Sequence, residues 1–256
     1  MENRIVSAVV LGTGHGPGMP EQTVEGSVET EQRVVNRSWL FSRLLWVLTA
    51  VAVVLLVFCL IKENLPGHVA RSWPWRLRLL DTGSALTAVL GTGGAALARA
   101  QYAQTVRPSL SSVGGVYDHA PAGGLVWAFQ LVNGSQDVAV IKNVAYWIVF
   151  SPVAIAAGSA NPGRWLSQEE TVAAIETRQL AKGEHFDFRH LGRGAFISAD
   201  RLTGIGWLSE RAMQEVQDLF VEVRVLDRAG DTHERVMPLM KNVDRPLRHP
   251  SPPFLI

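Results

Sequence analysis

The chain has a single cysteine, Cys59, among its 256 residues, so no intrachain disulfide can form and any fold must rest on packing alone. That usage fits a reducing compartment. Net charge is nearly absent too: 24 basic residues face 23 acidic ones, a formal +1, which excludes nucleic-acid binding by a bulk positive field. The common catalytic signatures are missing. There is no Gly-x-Ser-x-Gly elbow, no phosphate loop ending in Gly-Lys-Ser/Thr and no His-Glu-x-x-His, since His233-Glu234 is followed by Met237 where the second histidine belongs. No basic n-region precedes the short apolar run 5–11, so the start does not read as a secretory signal.

What the chain does have is residues 44–61, LLWVLTAVAVVLLVFCLI, eighteen positions without a charge. As a helix this run is roughly 27 Å long, close to the hydrocarbon thickness of a bilayer, and it predicts a transmembrane helix. A second uncharged run, 82–98, is richer in Gly, Ala, Ser and Thr than in Leu. Its small residues recur every four positions, with Gly83, Thr87, Gly91 and Ala95 on one stripe and Ser84, Ala88, Thr92 and Ala96 beside it. Such stripes let helices approach closely in lipid, so this helix is expected to pack on the first or on another copy of the chain. Trp39, Trp46, Trp73 and Trp75 cluster around the two runs, as interfacial tryptophans do. Charge is uneven in the same sense: residues 39–107 sum to +5, while 1–38 and 108–256 each sum to −2.

Four segments follow: a flexible N-terminal tail (1–38), a transmembrane hairpin (39–107), a β-rich soluble domain (108–244) and a proline-rich C-terminal tail (245–256). In the first tail, GTGHGPG after 5–11 has glycines of the kind that cradle phosphates. Pro17, Gly18 and Pro20 bar the helix that such a site requires, so no nucleotide site is expected. Basic residues flanking the runs (Arg33, Arg37, Arg43, Arg99, Arg107) outnumber those between them (Lys62, Arg71, Arg76, Arg78) by one. That margin places both termini, and with them the soluble domain, on the cytoplasmic side of a multi-pass cell-membrane protein.

Within 108–244, strand patterns occupy 125–132, 138–150, 219–226 and 232–239, with turns at 133–137 and 227–231. Ser167-Gln168-Glu169-Glu170 is a capping-box pattern opening a helix to about Arg178. The fold class is therefore a membrane α-helical hairpin of two transmembrane helices followed by a mainly-β soluble domain, β-sandwich-like or α+β. Arg107-Pro108 after the hairpin, Leu-x-Asn-Gly at 131–134, Ala139, and Asp227 with Gly230 in the last turn carry a resemblance. Over residues 44–239 the chain resembles uncharacterised two-helix membrane proteins of bacteria, frequent in actinobacteria, that carry a β-sandwich-like soluble domain. An aromatic expected two places before that Asp is Val225 here. The resemblance implies membrane anchoring and supports the sandwich, and it brings no activity.

Three groups of residues could carry chemistry. Asp81-Thr82-Gly83-Ser84, after two leucines, resembles the active-site loop of aspartic proteases, where paired carboxylates share a proton. One copy would serve if the chain dimerised, with Gly192-Arg193-Gly194 as a partial match to that family's second motif. The helical spacing that follows instead makes Asp81 a helix cap. His185, Asp187 and His190 are the densest metal-ligand cluster, but on a strand His190 would point away from the other two. Trp147, Trp165 and Trp207 could line a pocket and equally could cover a core. No catalytic, cofactor-binding or metal residue is therefore assigned. The expected partners are a lipid bilayer, a protein met at its surface, and a second copy through the small-residue stripe.

Overall fold

The computed structural model of the chain describes residues 31–37, 39–64, 81–119, 124–158, 160–199 and 201–248. The apolar run 5–11 and its glycines, Trp73, Trp75 and the last eight residues lie outside these. Two helices come first, α1 (Trp39–Asn64) and α2 (Thr82–Thr105). Asp81 caps α2, its Oδ1 accepting the Ser84 N–H at 3.2 Å, which settles a backbone donor that the first helical turn leaves open. A helix therefore stands where the protease resemblance needs strands.

The sheltered described positions of α1 are Leu45, Thr49, Ala52, Leu55, Leu56, Phe58, Cys59 and Lys62, and within them Leu45, Thr49, Ala52, Leu56 and Cys59 fall at alternating spacings of four and three, the mark of one helix packing along another. The partner is α2, whose Ala85, Ala88, Thr92 and Ala96 are sheltered in turn, while Gly83, Thr87, Gly91 and Ala95 are exposed. Of the two small-residue stripes, the one beginning at Ser84 is thus used inside the pair from Ala88 onward. Much of the remaining described surface of α1 is exposed. Over Arg43–Asn64 the mean hydropathy reaches 3.1 and only 11% of the most apolar window is buried, leaving Trp46, Val54 and their neighbours outside. Thr49, Thr87 and Thr92 turn their hydroxyls back onto carbonyls four residues earlier, so their polar groups are satisfied within each helix. Among the described residues α1 is the one helix long and apolar enough to cross a membrane. α2 runs seven residues past the expected 98 but, diluted by Gly and Thr, does not reach that hydropathy.

Beyond the helices the chain is mainly β. A five-stranded antiparallel sheet has the order β1 (Arg33–Asn36), β9 (Thr232–Pro238), β8 (Val216–Leu226), β4 (Ala139–Phe150), β6 (Phe196–Ile197). A four-stranded antiparallel sheet has the order β2 (Leu110–His119), β3 (Gly124–Asn133), β7 (Thr203–Ser209), β5 (Phe186–Phe188). Between them lies one core to which both contribute, Ile141, Tyr146, Ile148, Val221 and Val223 from the first and Phe129, Leu131, Phe188 and Leu208 from the second. Tyr146 meets Phe188 across the gap with ring centroids 5.4 Å apart. Short helices α3 (Pro152–Ala156), α4 (Gln168–Glu176) and α5 (Glu210–Glu215) sit in the connections. The α4 capping box forms as expected: Ser167 Oγ accepts the Glu170 N–H at 3.2 Å and Glu170 accepts the Ser167 N–H at 2.8 Å.

The four expected strands are present. Strands β2 and β7 were not legible, because β2 carries Ser-Ser and Gly-Gly and β7 two glycines, which dilute any alternation. Gly114 of β2 is required: a methyl there would sit 2.1 Å from the ring of Trp127, whose Nε1 donates to the Leu239 carbonyl at 2.8 Å and ties the sheets together. Asn133, fully buried, explains the Leu-x-Asn-Gly pattern. Its Oδ1 accepts from Ser135 and Ser109, and its Nδ2 donates to the carbonyls of Asp137 and Ile197, closing the β3–β4 turn.

Both tail expectations need correction at their inner ends. Residues 33–36 form edge strand β1 on β9, and Gln32 brackets β2, accepting the Leu110 N–H and donating to the Pro108 carbonyl. At the other end Leu247 is buried and its N–H donates to Glu210 at 2.8 Å. An edge strand needs no periodicity of its own, since β9 supplies the hydrogen-bonding partner.

Candidate functional site

The chain enters α1 directly from β1 and leaves α2 just before β2, so the helices stand at one end of the β domain. That end also holds the β8–β9 turn. Between them opens a cavity of about 420 Å³, lined by the first turns of α1, the last turns of α2, the edge strand β1 and the start of β9. Because the start of one helix and the end of the other meet there, the helices are antiparallel.

Arg99, Ala103 and Arg107 recur at intervals of four, so one stripe of α2 and its exit presents two guanidinium groups to the cavity. Arg107 is held by the Gln32 carbonyl at 2.9 Å, and Arg99 reaches the Ala229 carbonyl at 3.4 Å. Arg37 enters from the end of β1, and Trp46 of α1, three-quarters exposed, stands at the rim.

At the base is a buried pair. Asp227 directly follows β8 and His233 is the second residue of β9, on either side of a turn made possible by Gly230 at φ +84°. The turn brings His233 Nε2 to 2.8 Å from Asp227 Oδ2, and Asp227 Oδ1 accepts the Asp231 N–H at 2.8 Å. Both carboxylate oxygens are therefore satisfied. His233 Nδ1, also buried, has no hydrogen-bond partner among the described residues.

Glu234, the next residue, points to the opposite face of the sheet. There Arg33 of β1 and Arg224 of β8 grip its carboxylate from the two neighbouring strands, Arg224 Nε at 2.6 Å and Arg33 Nε at 2.9 Å, and Arg224 also reaches Glu222 at 2.9 Å. Burial raises the Glu234 pKa, but the hydrogen bonds from Arg33 and Arg224 outweigh it and the net shift is downward. A carboxylate with a lowered folded-state pKa contributes stability at pH values above its unfolded pKa, and that contribution is lost as pH falls through the folded value. The urea midpoint of the wild-type protein is therefore expected to fall below about pH 4.5 more steeply than that of Glu234→Gln. Equal slopes would show that the network contributes nothing.

No protein-family model matches the chain, and neither a curated protein nor a solved structure does. The geometry of the chain itself is what bears on function.

The residues singled out in the sequence do not converge. His185 Nδ1 accepts the Ala181 N–H at 3.0 Å, Asp187 lies 3.7 Å from Lys182, and His190 Nδ1 meets Gln168 Oε1 at 3.1 Å, so the three engage three different partners. Trp147 and Trp165 pack edge to face at 5.8 Å, while Trp207 pairs with His119 on the other sheet. The residues of the cavity form no motif in the sequence. In the sequence Asp227 reads as a turn residue, His233 as part of an incomplete zinc motif, and Arg37, Arg99 and Arg107 as markers of topology. A signal was available for the pair: six residues apart across a glycine-containing hairpin turn, Asp227 and His233 fall where side chains at the mouth of the hairpin can meet.

Proposed function

We propose that the chain is a membrane-anchored protein in which α1 and α2 form a hairpin spanning the bilayer, with the β domain held at the cytoplasmic surface to meet a protein partner or to sense its surroundings. The observation that carries this reading is the exposure of α1: in water a helix apolar on every side would leave Val47, Val51, Val54 and Leu60 unprotected. The outer face of α2, with Leu86, Leu90 and Leu97 exposed, supports the same surroundings for its partner. The likeness to two-helix bacterial membrane proteins belongs to this reading. So does the anchoring geometry, because β1 passes into α1 within three residues and leaves the domain no slack to drift from the surface.

The rival reading, a dimeric aspartic protease using Asp81, has less support. That carboxylate is engaged in the α2 cap, whose hydrogen bonds from Ser84 lower its pKa.

The full-length protein is expected to stay in the membrane pellet after carbonate extraction at high pH, and its release into the supernatant would end the anchor reading. For orientation, an Ala157→Cys variant places a thiol just after α3, at the end of the domain far from the helices. It should react with a membrane-impermeant maleimide only once cells are permeabilised; labelling of intact cells would move the domain outside.

A further inference from the structure

The cavity between the helix ends and the β8–β9 turn concentrates positive charge. Arg37, Arg99 and Arg107 line it against a single lining carboxylate, that of Asp231. Arg107 and Arg99 are held at its wall in part by the Gln32 and Ala229 carbonyls, which are neutral acceptors. Asp227, behind His233, is already occupied by His233 Nε2 and the Asp231 N–H. His233 itself lines the cavity, and its buried Nδ1 is a polar atom with no hydrogen-bond partner among the described residues. A volume of about 420 Å³ falls within the range of small-molecule sites.

We infer that this cavity binds a phosphate-bearing anion, clasped by Arg37, Arg99 and Arg107 beneath Trp46. Guanidinium groups presented from two segments, the end of β1 and the last turns of α2 with its exit, suit phosphate, whose several oxygens accept planar, paired N–H donors. Placement adds to the chemistry. Trp46 lies a few residues into α1, at the level where indoles sit among lipid headgroups, so a phospholipid headgroup reaches the cavity without leaving the bilayer. The inference rests on the membrane reading only for that source of the phosphate. A soluble phosphate compound offers the same chemistry to the same arginines.

The test uses the full-length protein with two probes. In nanodiscs, retention of phosphatidylglycerol against phosphatidylcholine is read by native mass spectrometry; in detergent, inorganic phosphate is titrated by calorimetry. The wild type should prefer one probe, and Arg37→Gln and Arg99→Gln should each weaken that binding by about tenfold or more. Arg37 is exposed, so its variant folds even if loss of the Arg99 contact disturbs the turn. Arg193→Gln is the control, because Arg193 is exposed at the same end of the domain but outside the cavity: Gly194, its neighbour, binds the Ile141 carbonyl near the start of β4. Preference for phosphatidylglycerol alone identifies a headgroup site, and binding of inorganic phosphate with the same variant pattern identifies a soluble ligand. Absence of binding to either probe overturns the inference. An equal loss in Arg193→Gln also overturns it, since that is general surface charge. Release by carbonate with phosphate binding intact would remove the anchor and leave the cavity standing.

Discussion

Gly206→Ala is expected to destabilise the β domain strongly, because the added methyl group meets backbone. Gly206 lies in the middle of β7, paired with Phe129 of β3 on one side and Phe188 of β5 on the other. A Cβ there would fall 2.2 Å from the Asp187 carbonyl oxygen and 3.1 Å from the Phe188 Cα. Both are backbone atoms and neither can rotate away, so β5 must move. β5 carries Phe186 and Phe188, both buried, with Phe188 in ring contact with Phe129, Tyr146 and Phe186. Displacing it opens the core where its largest side chains meet, at a cost on the order of 3–5 kcal/mol, comparable to deleting a buried phenylalanine. For a domain of this size that is a drop of roughly 10 °C in melting temperature. Gly204→Ala is the matched control on the same strand, because its Cβ would meet nothing within 4 Å. It should be neutral or slightly stabilising. Equal melting temperatures for the two variants would show that β5 accommodates the methyl group.

A comparable loss is expected from Asp227→Ala, through unpaired polarity instead of overpacking. Removing the carboxylate strips the partner from His233 Nε2 and from the Asp231 N–H together. The side chains of Asp227 and His233 are 1% and 3% exposed, so the groups left behind are largely desolvated. Leaving a buried hydrogen-bonding group without its partner costs about 1–3 kcal/mol for each group, and two groups lose theirs here. His233→Ala leaves Asp227 Oδ2 without its partner, while Oδ1 keeps the Asp231 N–H. The double variant should therefore be less damaged than the two single losses combined, with a coupling energy of about 1–3 kcal/mol in a denaturation cycle. Additive losses would mean that the two side chains act independently. Because this pair forms the base of the cavity, Asp227→Ala should also loosen the β8–β9 turn against Arg99.

The strongest local patterns were legible without the fold. The charge-free run 44–61, the cap at Asp81, the capping box at Ser167 and the hairpin around Gly230 each depend on residues close in sequence, and each forms where it was expected. Backbone hydrogen bonding and side-chain size act over one or two turns there, so few neighbours settle the outcome.

Strand β4 shows where local pattern stops. Ala139 and Ile141 are buried at odd positions, then Tyr146, Ile148 and Phe150 at even ones, because the register against β8 shifts between Ile141 and Asn143. A bulge changes which face each residue occupies, and it is visible only once the partner strand is in place. The same holds for β1, four residues that become a strand because β9 offers an open edge. It holds most of all for the cavity. Arg37, Arg99, Arg107 and His233 are spread over nearly two hundred residues, and each alone is an unremarkable side chain. Local chemistry made the elements of this protein, a lone apolar helix among them. Bringing four distant side chains to one wall required long-range strand pairing and helix packing, whose energies depend on partners far along the chain.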